Sequence, residues 1–175
     1  MRWYWIDRYT EFVRGTRATA VKCVSLAEEH LHDHFMHYPI MPHSLVVEGV
    51  AQTGGLLINE YSECREKVVL AKLTKAVFYC EPRPGDVLTY RVQVQYLNAS
   101  GASITATSHI GEKLHAEFDM MFAYLRDNEF GDKELFTMED YKHLFFNFHV
   151  YDIGTEADGV TPISIPDCFK DPQAS

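Results

Sequence analysis

The stretch His34-Phe-Met-His-Tyr-Pro-Ile-Met-Pro-His43-Ser-Leu-Val-Val-Glu48-Gly-Val-Ala-Gln52 passes from an irregular loop into a helix. Pro39 and Pro42 break regular structure and push the residue before each toward extended geometry. A helix is predicted to begin near His43-Ser44, with Pro42 close to its first turn, and to run to about Tyr61. Its apolar positions surround nearly the whole circumference, so the rest of the chain must enclose it. Glu48 and Gln52 are four residues apart and share one face. A lone carboxylate within Leu45-Val-Val-Glu48-Gly-Val-Ala51 is costly to bury without a partner, and acid/base chemistry is one reason to tolerate the cost.

Four strand-like segments follow: Val68–Cys80, Val87–Leu97, Ala102–Ile110 and Lys113–Leu125. Asn98-Ala-Ser-Gly101 and Gly111-Glu112 are hairpin-type connections, and Tyr90-Arg-Val-Gln-Val-Gln-Tyr96 alternates as a strand with one wet face does. Ala18–Val24 reads as a further strand, and Trp3–Val13 as a strand or a short helix. The expectation is an α+β domain: a four-strand antiparallel meander plus one or two N-terminal strands, wrapped around the helix.

That domain spans residues 1–126; residues 127–175 form an acidic C-terminal extension. The body holds 13 Lys+Arg against 14 Asp+Glu, the extension 3 against 11. A nearly neutral body argues against nucleic-acid binding by phosphate neutralisation. The run 45–58 carries Glu48 and Gln52 and is too short to span a membrane. Met1-Arg-Trp-Tyr-Trp-Ile-Asp7 lacks the apolar core of a signal peptide, so a cytoplasmic location is expected. Cys23, Cys64, Cys80 and Cys168 are scattered, with no CxxC, and are expected as reduced thiols. Five of nine histidines lie between His30 and His43, but prolines interrupt them and no cysteine joins them, so no metal is expected. Residues 65–83 carry a local +3, a candidate docking patch for an acidic carrier. In the extension, Thr137-Met-Glu-Asp140 resembles a capping start, and Met138, Tyr141, Leu144, Phe145 and Phe148 form a helical stripe expected to pack on the body. Residues from Gly154 on are expected to be extended or loosely ordered.

The segment from His34 to Gln52 resembles, with no gap, the motif H-F-P-G-x-P-I/V-M-P-G-V/C-L-x-x-E/D-x-x-x-Q. This belongs to the hot-dog-fold 3-hydroxyacyl-(acyl carrier protein) dehydratases, the FabZ/FabA group. Ala71–Asp86, with its Pro84-Gly85-Asp86 turn, and Trp5-Ile-Asp7-Arg8 also resemble that family. The likeness covers about residues 3–125. It implies a homodimer, or a hexamer of such dimers, with each active site built from His34 of one chain and Glu48 of the other. Glu at 48 looks more like the FabZ branch. The implied reaction turns a 3-hydroxyacyl thioester, on acyl carrier protein or coenzyme A, into the trans-2-enoyl thioester, without a cofactor.

These residue types suit that chemistry. Histidine exchanges a proton near neutral pH, and a desolvated carboxyl holds a proton that it can give to a leaving hydroxyl. The resemblance further implies that the Ile40 carbonyl holds the second ring nitrogen of His34 and that the N–H of residue 43 polarises the thioester. Gln52, one turn beyond Glu48, is placed to orient it. Met36, His37 and His43 stand where the family has Pro, Gly and Gly, and the His43 side chain is expected to crowd the thioester or its pantetheine arm. The substrate-binding set is therefore His37, Ile40, His43 and Gln52. Two alternatives share the frame: a hot-dog thioesterase using the helix carboxylate to activate water, and a non-catalytic acyl-carrier-binding protein.

Overall fold

A computed structural model describes residues 3–125 and 136–170. The order of elements is β1 (Arg8–Val13), β2 (Arg17–Cys23), α1 (His30–Asp33), α2 (His43–Tyr61), β3 (Lys67–Phe78), β4 (Val87–Asn98), β5 (Gly101–Ile110), β6 (Lys113–Leu125), α3 (Met138–Asn147) and α4 (Val150–Ile153), then a 3-10 turn at Asp167–Phe169. Six antiparallel strands form one sheet in the order β1-β2-β4-β5-β6-β3. The fold is α+β, of hot-dog type. The Trp3–Val13 ambiguity resolves as β1.

Period-two alternation builds the inner face. Leu88, Tyr90 and Val92 of β4, Ile104 and Ala106 of β5, and Phe118, Met120 and Phe122 of β6 are buried in one cluster with Val46, Val50, Leu57 and Ile58 of α2. Two glycines set how closely α2 approaches. A Cβ on Gly49 would stand 2.7 Å from the Trp5 carbonyl oxygen and from the Tyr90 ring, and one on Gly54 would stand 2.5 Å from Ile104.

The expected meander holds for β4-β5-β6 but not for β3, which pairs with β6 at the sheet edge. The segment between β3 and β4 carries Pro82 and Pro84, and Met41 N–H donates to the Pro82 carbonyl at 2.9 Å. It ties the sheet end to the loop before α2 and cannot make a tight hairpin. β3 is mostly exposed, with Leu70, Leu73 and Val77 open to solvent.

The extension helix α3 starts at a capping box: Thr137 Oγ1 accepts from Asp140 N–H, and Asp140 accepts from Thr137 N–H. Tyr141, Phe145 and Phe148 are buried in the body's core cluster, while Met138 is exposed. Residues 154–170 follow the body closely: Thr155 N–H donates to the Phe12 carbonyl and Arg14 N–H to the Thr155 carbonyl, both at 2.9 Å. Ile163 and Phe169 are buried in the same cluster, so this part is extended but packed. The first part of the acidic extension, residues 127–135, lies outside the described residues. All four cysteines are free thiols. Among the described residues no helix is long and apolar enough to cross a membrane.

Candidate active site

His34 follows the single turn of α1 and is half-buried. Its loop closes on itself, with Ile40 N–H donating to the His34 carbonyl at 2.9 Å. His34 Nδ1 lies 3.3 Å from the Ile40 carbonyl oxygen. A carbonyl only accepts, so this contact selects the Nδ1–H tautomer and leaves Nε2 as a base. Phe35 stacks on the ring at 4.6 Å. Tyr38 fixes the crest of the loop: Arg83 lies over its ring at 4.2 Å, and its hydroxyl donates to Glu81 at 3.0 Å.

His43 opens α2, whose N-terminus no side chain caps. Its ring lies flat on Phe78, 3.9 Å between centroids and 4° between planes. Desolvation holds its pKa below the ordinary histidine value. Attraction to the aromatic face seats the ring against the end of β3. His37 is exposed, with no hydrogen bond, ion pair or ring contact among the described residues.

On the helix, Gln52 Nε2 donates to Glu48 Oε1 at 3.0 Å and to the Trp3 carbonyl at 2.8 Å, while its Oε1 accepts from Trp5 N–H at 2.9 Å. The N-terminal segment thus fixes which end of the amide faces Glu48. Glu48 is half-buried rather than enclosed, because it stands at a cavity of about 550 Å³. No hydrogen bond or ion pair joins His34 to Glu48 within the protomer. His34 has His30 and His43 in electrostatic range, and Glu48 has Gln52.

The fully buried carboxylate of α2 is Glu60, three turns further along. Arg14 Nε lies 3.2 Å from it and also reaches Glu63 and Glu156, at 3.7 and 3.4 Å. Burial outweighs the Arg14 charge and raises the Glu60 pKa to about 7. Sequence reading missed this pair, since Glu60 sits where a helix end turns polar. It also missed His115, fully buried with Nδ1 2.8 Å from Ser108 Oγ, whose pKa desolvation pushes down to about 4. Period-two alternation gave no signal for His115: it puts Ala116, Phe118, Met120 and Phe122 on the inner face, and His115 is buried out of phase with them, opposite the register shift at Ser108/His109.

The chain matches the FabA-like domain over residues 3–113. It belongs to the FabA-like family. Among FabA-like relatives it is 36% identical over 119 residues to the FabZ 3-hydroxyacyl-[acyl-carrier-protein] dehydratase of Clostridioides difficile (strain 630), covering 67% of this chain and 84% of that one. The FabZ of Koribacter versatilis (strain Ellin345) is 39% identical over 114 residues, 64% of this chain and 73% of that one. A solved structure, the dehydratase heterocomplex ApeI:P from Xenorhabdus doucetiae, shares the fold with a TM-score of 0.63 at 12% identity, covering 73% of this chain and 87% of that chain. The FabA-like match ends within β6, so α3 and all that follows lie beyond it.

In the expected basic patch, Arg65 is ion-paired with Glu63 at 2.5 Å and Lys75 with Glu117 at 2.9 Å. Among the described residues no three His, Cys, Asp or Glu side chains gather as metal ligands.

Proposed function

We propose that the chain dehydrates 3-hydroxyacyl thioesters carried by acyl carrier protein to trans-2-enoyl thioesters, in fatty acid or related lipid or polyketide synthesis in the cytoplasm. FabZ relatives named for this reaction support it. The carrying observation is the complementary pair of half-sites: His34, with Nδ1 toward the Ile40 carbonyl and Nε2 free, and Glu48, oriented by Gln52 at the cavity mouth.

In this reading Nε2 of His34 removes the α-proton, electrons move toward the thioester carbonyl, the β C–O bond breaks, and Glu48 gives its proton to the departing hydroxyl, which leaves as water. The uncapped N–H groups at the start of α2 meet the charge developing on the carbonyl oxygen. His34 then returns its proton to Glu48, directly or through water.

No hydrogen bond or ion pair joins His34 to Glu48 within the protomer, which supports a working unit that is a homodimer with the pair formed across chains. The exposed twelve-residue edge strand β3, with Leu70, Leu73 and Val77, is the surface such pairing would cover. Residues 1–126 carry the reaction and 127–175 are an appended element.

The test is incubation of the full chain with a 3-hydroxyacyl thioester. A rise in enoyl absorbance, lost in His34→Ala and Glu48→Gln, supports the reading. Release of free thiol without enoyl would mark a thioesterase, and neither signal would mark a binding protein.

A further inference from the structure

The cavity beside Glu48 has one wall from the family domain and another from the extension. Glu48, Gln52, Gly55 and Asn59 fall at i, i+4, i+7 and i+11, a single stripe of α2 that lines one side. Opposite stand Tyr141, Leu144 and Phe148, spaced as one face of α3. The family match stops at residue 113, so this second wall lies outside the shared frame. We infer that α3 sets the longest acyl chain the site accepts, an inference that rests on the dehydratase reading above.

Three observations carry it. First, the wall is fixed in place. The capping box starts α3, Tyr9 N–H donates to the Phe148 carbonyl at 3.1 Å, and the Phe148 ring meets Tyr4 and Tyr9 edge-on at 5.3 and 6.4 Å. Second, the groove has room for a chain. Gly55 presents no side chain to it, and a Cβ there would touch only Phe122, at 3.5 Å. The path from Glu48 to Asn59 along the helix is about 16 Å at 1.5 Å per residue. Third, the path ends on a polar stop. Asn59 is 1% exposed; its Nδ2 donates to the Glu66 carbonyl at 2.9 Å, and its side chain also meets Tyr141 of α3, so a polar contact between the two walls closes the path. An alkyl end gains nothing by reaching such a group. A chain that leaves Glu48, runs between Leu56 and Leu144 and halts before Asn59 fits this lining. The site thus takes short and medium unbranched acyl groups and rejects long ones.

The experiment measures kcat/KM for four-, eight-, twelve- and sixteen-carbon 3-hydroxyacyl thioesters with the full chain and three variants. Leu144→Trp should lower the long-to-short ratio about tenfold while sparing the four-carbon substrate, the scale expected when a pocket loses room for a few methylenes. Leu144→Ala should raise the ratio severalfold. Gly55→Leu, on the opposite wall, should lower it like Leu144→Trp. An unchanged profile in both Leu144 variants overturns the inference, whether or not Gly55→Leu shifts it. If the native chain turns over none of the series, the dehydratase reading falls and takes this inference with it. Leu144→Ala, with little risk to folding at a half-buried position, keeps the test valid should Leu144→Trp fail to fold.

Discussion

Gln52 Nε2 donates to Glu48 Oε1 at 3.0 Å while the same amide is held at both ends by Trp3 and Trp5. The N-terminal segment, β1's lead-in, thereby reaches the proposed acid through one side chain. Gln52→Ala should lower kcat about tenfold with little change in KM, since the bond orients Glu48 rather than holding substrate. A steady-state comparison checks this; a change confined to KM would place Gln52 in substrate binding instead.

The His43 ring is stacked on Phe78, the last residue of β3. His43→Gly, which restores the family's residue, should therefore leave kcat/KM within about threefold. A large gain on the same substrate would show that the ring obstructs the thioester after all.

Gly49 has no room for a methyl group, with the Trp5 carbonyl and the Tyr90 ring both 2.7 Å from the position it would take. Gly49→Ala should destabilise the protein by about 1–3 kcal/mol through overpacking, despite alanine's better helix propensity. Thermal unfolding reads this directly, and a raised midpoint would contradict the close approach of α2 to the sheet.

Glu60 is buried beside Arg14, with Glu63 and Glu156 on the same guanidinium and the Tyr151 hydroxyl and Cys64 thiol close by. Its folded-state pKa is raised from 4.5 to about 7. A raised carboxyl favours the folded state when protonated, so its stabilisation is fully present below about pH 4.5 and is lost as pH rises to about 7. Glu60→Gln should flatten this part of the stability profile. Melting midpoints across the range, native against variant, test the sign; a native midpoint that rises over this interval and flattens in Glu60→Gln would reverse it.

The fold was legible where one physical signal dominated. The 43–61 helix followed from its all-round apolar pattern and proline boundary, and β4-β5-β6 from alternation with short turns. The partner of β3 was not legible, because pairing is non-local and the Pro84-Gly85-Asp86 turn does not say which strand β3 joins. In the site, the spacing of His34, Glu48 and Gln52 carried the helix-face contact between Glu48 and Gln52. It could not show that His43 finds an aromatic seat thirty-five residues away, or that Glu60 meets Arg14 across two elements. Those contacts depend on which strands become neighbours, and single-residue patterns do not encode that.

The central claim is that His34 and Glu48 act together only across two chains. Mixing His34→Ala and Glu48→Gln subunits, each expected to be about a hundred- to ten-thousand-fold down as a pure protein, tests it most directly. In a two-fold dimer with shared sites, each mixed pair contains one site with both residues intact. Enoyl formation should therefore return on subunit exchange to a substantial fraction of the native rate. If the mixture stays as inactive as its parents while mass spectrometry shows that mixed dimers have formed, the pair works within one chain and the cross-chain site is wrong.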